Sequence, residues 1–157
     1  GPIYFRLAKK GEPILTPPEN IIQVGVANPI FESDMSDISI LFTSNASDLA
    51  IEVAQKLREK KCVTNLYSMH SIKPFDYATL NTILESGKPI FTIEEHSLIG
   101  GLGSIVAEYI AESKYAPVFK RFGLPDQYSH YVGDQNYIRG KFGLTAPHIY
   151  DAIAELI

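Results

Sequence analysis

Cysteine is almost missing from this chain. The single thiol, Cys62, excludes an internal disulfide framework and fits a reducing compartment. No Cys or His-Asn partner pattern surrounds it, so Cys62 reads as a core residue of a β-like run. Basic blocks are also missing, and the net charge is −4. That balance argues against nucleic acid and against anionic membranes as partners. Long apolar runs are absent, so no segment is expected to span a bilayer. No positively charged start leads into an apolar core, so no signal peptide is expected and the expected location is the cytoplasm. His70, His130 and His148 are scattered without metal-ligand spacing, and no metal is assigned.

What is present suits one good core. The chain has 157 residues, 45% of them hydrophobic and 20% charged, an ordinary balance for a globular domain. Its organising stretch runs from Pro89 to Ser113. Ile90, Phe91, Thr92 and Ile93 suit a central strand. Glu94, Glu95 and His96 end the apolar run as an acidic turn. Gly100, Gly101 and Gly103 form an elbow, and Leu102, Ile105, Val106, Tyr109 and Ile110 recur at helical spacing. Strand, glycine elbow and helix in that order form the joint of an open α/β sheet, where sites often lie.

Around this stretch the elements alternate. Ile3–Leu7 reads as a strand without neighbours, as though it were the tail of a previous domain. Lys9 to Asn20 holds three prolines and a glycine and reads as an extended linker. The expected division is therefore 1–20 for that tail and linker, and 21–157 for the domain. Ile21 to Phe31 has strand character broken at Asn28-Pro29, and an acidic turn follows. Ile38 to Thr43 is expected as a strand buried on both faces. A helix over Ala46 to Lys60 follows, capped by Ser44 or Asn45. Cys62 to Met69 is the next strand, and Asp76 is expected to cap a short helix to Glu85. Ala116 to Phe122 is the last strand, with a short helix near Gln135 to Lys141. Thr145 is expected to cap a closing helix whose apolar face is Ile149, Ala152, Ile153 and Leu156. This alternation predicts right-handed crossovers and a mostly parallel sheet covered on both faces.

Three motifs bear on chemistry. The elbow Gly100-Gly-Leu-Gly103 allows a phosphate cradle at a helix N-terminus. It allows equally a close packing of helix on sheet, which is the reading preferred here. It fits neither a dinucleotide fingerprint nor a Walker loop. Glu94, Glu95 and His96 lie where acid–base groups often sit, yet side chains alternate in an extended segment, so all three cannot enter one pocket. The other reading is a polar strand end that meets a neighbouring domain or solvent. Arg6, Lys9 and Lys10 place cations where a strand leaves a sheet.

Several of these segments carry a resemblance. Thr92 to Ser104, Pro2 to Gly11, Asp37 to Ser44, the turn Ser71-Ile-Lys-Pro-Phe-Asp76, Phe122-Gly-Leu-Pro-Asp126 and Gly143-Leu-Thr145 occur in family order. Together they resemble the last domain of transketolase-type, thiamine-diphosphate enzymes. The similarity is greatest to split bacterial transketolases and 1-deoxy-xylulose-5-phosphate synthases. The β subunits of 2-oxoacid dehydrogenases have a looser version.

The resemblance implies a three-layer α/β/α unit whose five-stranded, mostly parallel sheet has one antiparallel strand. It implies residues 1–20 as the end of a pyrimidine-binding domain plus linker. It implies an assembly domain of an enzyme moving two-carbon ketol units between sugar phosphates, inactive alone and without catalytic residues or cofactor of its own. Thiamine diphosphate and Mg2+ would belong to the parent enzyme. Gly133-Asp-Gln-Asn136 starts like the family's magnesium-diphosphate motif but lacks its second glycine and its Asn-containing end, so it reads as a turn. Lys9 takes the place of the arginine that contacts substrate phosphate, as a point charge without the bidentate fork. Arg6 matches the preceding arginine, and Arg6, Glu95 and His96 are candidates for interdomain contact. Expected partners are the remaining domains or a partner subunit, within a homo-oligomer. The rivals are a deoxyxylulose-phosphate synthase, a 2-oxoacid dehydrogenase β subunit, and a non-catalytic interaction or regulatory module.

Overall fold

A computed structural model describes residues 1–7 and 14–157. Five strands form one sheet in the order β1-β3-β2-β4-β5. They are β1 (Asn28–Phe31), β2 (Ile38–Phe42), β3 (Thr64–Ser68), β4 (Ile90–Ser97) and β5 (Phe119–Leu124). All neighbours run parallel except β1, which pairs antiparallel with β3. The helices are α1 (Ser47–Glu59), α2 (Tyr77–Glu85), α3 (Leu102–Glu112), α4 (Gln135–Lys141) and α5 (Ala146–Ala154).

The central strands are apolar on both faces because helices cover both. Every residue of β2 is buried. On one face Ile38, Ile40, Phe42, Phe91 and Ile93 pack with Leu49, Val53 and Leu57 of α1 and with Ile149 and Ile153 of α5. On the other, Leu41 and Ile90 pack with Leu80 and Leu84 of α2 and with Leu102 and Val106 of α3. The strand period of two thus sorts one sequence between two cores. The layers are α/β/α with one antiparallel strand, as the resemblance implied.

Several boundaries differ from expectation. β1 begins at Asn28-Pro29, where a break is expected. A proline is tolerated there because β1 is an edge strand. A short 3-10 turn, Ser44–Ala46, precedes α1, whose N-cap position is Ala46 without a side-chain bond. The Asn45 amide oxygen faces the Thr43 hydroxyl instead, at 3.4 Å; the Ser44 side chain lies outside the described residues. Thr145 holds the N-cap position of α5, also without a side-chain bond. Leu156 lies beyond the end of α5 and is 41% exposed, so it leaves the apolar face. Cys62 precedes β3 and is half-buried against the core. Burial, followed by the Asp37 charge, pushes its thiol up.

Asp76 caps α2 as expected and does more. Its carboxylate accepts from the Thr79 N–H at 2.9 Å and the Thr79 hydroxyl at 2.7 Å, and from the Ala27 N–H at 2.8 Å. One buried side chain therefore ties the entry to β1 to the start of α2. Burial pushes its carboxyl up, but the N–H groups of Thr79 and Ala27 and the Thr79 hydroxyl outweigh that and hold it below its ordinary value.

Candidate functional site

The acidic residues expected as a turn are still strand. β4 runs through Glu94, Glu95 and His96 to Ser97, at the C-terminal edge of the parallel strands. Alternation sends the three side chains different ways. Glu94 is 1% exposed, while His96 is exposed.

Glu94 explains the glycine elbow. Its two carboxylate oxygens accept from the N–H groups of Leu102 and Gly103, each at 2.8 Å. These are free donors of the first turn of α3. The negative end matches the positive pole of the helix. The anion at this helix start is therefore the protein's own carboxylate, and the phosphate-cradle reading gives way to close packing. A Cβ on Gly101 would overlap the Glu94 carboxylate, and one on Gly103 would meet Arg121 at 2.7 Å and the Thr92 hydroxyl at 2.9 Å. Gly100 differs: it turns the chain with φ +79° and has open space around it.

Glu95 faces α4. Its Oε2 accepts from Arg139 Nε at 2.8 Å and from Gln135 Nε2 at 2.6 Å, and pairs with Arg139 Nη2 at 2.6 Å. The same guanidinium donates to Asp48 Oδ2 at 2.8 Å and to the Asn45 carbonyl at 2.7 Å. Arg139 is 5% exposed. Burial alone would lower its proton affinity, but the bonds to Asp48 and Glu95 outweigh it and hold the guanidinium above its usual value. The planar fork meets three acceptors on three elements at once from three separate nitrogens, whereas an ammonium would have to serve all of them from one. Sequence reasoning missed Arg139. Its partners lie 44 and 91 residues away, and nothing local marks it.

The structure brings Arg6 and Glu95 together: Arg6 Nη2 donates to the Glu95 carbonyl at 3.0 Å. His96 takes no part in that contact. Lys9 and Lys10 lie outside the described residues. Asp134 N-caps α4, accepting from the Tyr137 N–H at 2.8 Å. That bond and the missing second glycine leave Gly133 to Asn136 a poor match to a magnesium-diphosphate site. Among the described residues, no group of three or more His, Cys, Asp or Glu is arranged to hold a metal ion.

These features define a three-layer α/β/α domain whose polar network gathers at the C-terminal edge of its sheet. Residues 30–149 match the family model for the transketolase C-terminal domain, and the chain belongs to that family. It is 31% identical over 158 residues to a 1-deoxy-D-xylulose-5-phosphate synthase of Geobacillus thermodenitrificans, spanning all of this chain and 25% of that protein. It is 32% identical over 157 residues to a 6-deoxy-6-sulfo-D-fructose transketolase subunit of a Clostridium species, spanning 99% of this chain and 47% of that subunit. The chain thus spans a quarter to about half of these relatives. Among solved structures, a split-gene transketolase described as an inactive β4 tetramer superposes with a TM-score of 0.82 and 28% identity. That match covers 93% of this chain and 46% of the other. A transketolase of Campylobacter jejuni shares the fold at a TM-score of 0.63 and 16% identity, over 90% of this chain and 20% of that one. No helix of the described residues is long and apolar enough to cross a membrane.

Proposed function

We propose that this domain completes a transketolase-type enzyme that moves two-carbon ketol units between sugar phosphates in carbohydrate metabolism. The observation that carries the reading is the fit to the split-gene transketolase over 93% of this chain. In this reading residues 21–157 are an assembly domain, and residues 1–20 are the end of a pyrimidine-binding domain plus its linker. The exposure of Ile3, Tyr4, Phe5 and Leu7, from 71% to 87%, supports that, because such a run suits a strand with partners elsewhere. Thiamine diphosphate and Mg2+ act in the other domains or the partner subunit, and this chain supplies no catalytic group. Arg6 and Glu95 belong to the contact between the domains. Lys9 meets the substrate phosphate. The assembled enzyme is a cytoplasmic homo-oligomer, a dimer at its simplest.

The test is a ketol-transfer assay on the assembled enzyme. Transfer from a ketose phosphate to an aldose phosphate, dependent on thiamine diphosphate and on this chain, is the expected result. A second reading, 1-deoxy-xylulose-5-phosphate synthase, draws on the full-length match to the Geobacillus synthase. Condensation of a 2-oxoacid with an aldose phosphate, with release of CO2 and without ketol transfer, would select it.

A further inference from the structure

The stretch Glu94–His96 is a bulge pinned from two sides. β4 advances from Ile93 to Ser97 while β5 advances only from Phe122 to Leu124, so the ladder between them is interrupted. A Cβ on Gly123 would meet the His96 carbonyl at 3.0 Å and the Glu94 side chain at 3.3 Å, so β5 leaves room for the bulge there. The Glu94 carboxylate ties the bulge to α3, and the Glu95 carboxylate ties it to Arg139. Where a ladder is interrupted, backbone groups must find partners elsewhere. The Glu95 carbonyl finds the Arg6 guanidinium.

We infer that Arg139 is a positioning residue for the segment that carries Arg6. It grips the Glu95 side chain, and Asp48 and the Asn45 carbonyl fix it in turn. That grip aims the Glu95 carbonyl at Arg6 from a backbone that its own ladder does not hold. The two arginines thus act on one residue, Arg139 through the carboxylate and Arg6 through the carbonyl. A guanidinium suits both places. Arg139 needs several donors in one plane, and Arg6 reaches a neutral oxygen from an exposed segment outside the sheet. The use of this coupling in catalysis rests on the proposed function, where Lys9 lies three positions beyond Arg6. The coupling itself does not.

The test is backbone amide relaxation by nitrogen-15 NMR on the 157-residue chain, read at Tyr4 to Leu7. In the wild type the order parameters stay above about 0.6, and in Arg6→Ala they fall below it. Arg139→Gln produces the same fall, and the double variant falls no further than Arg6→Ala alone. A merely structural Arg139 would lower the thermal midpoint and leave these amides unchanged. Should Arg139→Gln fail to fold, Glu95→Gln keeps the carbonyl and loosens the grip, and it must show a fall in the same direction. The inference is overturned if wild type and Arg6→Ala are equally mobile. It is also overturned if Arg139→Gln or its substitute Glu95→Gln leaves residues 4–7 as ordered as in the wild type. Lys9→Ala in the assembled enzyme tests the proposed function separately. A KM unchanged there, with the fall in order confirmed here, would remove Lys9 from the site and keep the anchor.

Discussion

Glu94 and Gly101 fit together with no room for a methyl group between them. The carboxylate occupies the space a Cβ would take, and its oxygens bond the next two N–H groups of α3. Gly101 has an ordinary extended backbone, φ −98° and ψ −159°, so a larger residue there is opposed by space alone. Gly101→Ala must push the carboxylate off the helix start. The expected cost is about 2–4 kcal/mol, from overpacking and two unmade bonds. Glu94→Gln retains the shape but turns an NH2 group toward an N–H donor, at about 1–3 kcal/mol. Urea unfolding reads both. Wild-type stability in Gly101→Ala would show that the elbow relaxes freely.

Asp76 makes stability depend on acid. Its folded carboxyl titrates below its ordinary value, so the unfolded chain takes up the proton first as pH falls. The stabilisation is complete above the unfolded value of about 3.9 and is lost as pH drops through the folded one. Asp76→Asn should cost about 1–3 kcal/mol near neutral pH, since a cap and the bond to Ala27 both weaken. As pH falls through the folded value the gap to wild type should narrow, because the wild-type side chain then becomes neutral as well. Denaturant unfolding across a pH series from neutral to acid checks this. A gap independent of pH would assign the effect to shape rather than charge.

These two residues mark how far local sequence reaches. The Asp76 cap was readable because its partner, Thr79, lies three positions on, the spacing any capped helix shows. Its bond to Ala27 was not, since that partner lies 49 residues back. The alternation of Glu94 and Glu95 was also readable from the strand period. Their opposite fates depend on what faces each side, a helix start for one and Arg139 for the other. The sheet was readable from its apolar runs. β1 was blurred by Pro29, which an edge strand with an irregular register tolerates. Arg139 stayed hidden because a buried cation looks like any surface cation until its distant acceptors are brought to it.

Isolated, this chain should give no saturable heat when titrated with thiamine diphosphate and Mg2+. The Asp134 carboxylate, the nearest approach to the family's metal motif, is engaged by the Tyr137 N–H at the start of α4. Glu94 fills the glycine-elbow helix start where a phosphate could otherwise sit. Isothermal calorimetry on the purified chain reads this directly. Saturable binding at one site would overturn the assignment of cofactor binding to the other domains.

Lys9→Ala should act on substrate affinity in the assembled enzyme. A lysine facing a phosphate contributes charge attraction to the bound sugar in ground state and transition state alike. Its removal therefore raises KM for phosphorylated sugars and leaves kcat near wild type. A single point charge opposite a phosphate corresponds to a change of about threefold to thirtyfold. An acceptor of the same chain length without the phosphate should show no change, because it offers the lysine nothing to hold. Lys9→Arg supplies a fork that can grip two phosphate oxygens, so it should keep KM at or below the wild-type value. Steady-state kinetics with the paired acceptors separates the outcomes. An equal rise in KM for both acceptors would point to a displaced segment instead of a lost phosphate contact, and unchanged kinetics would remove Lys9 from the site.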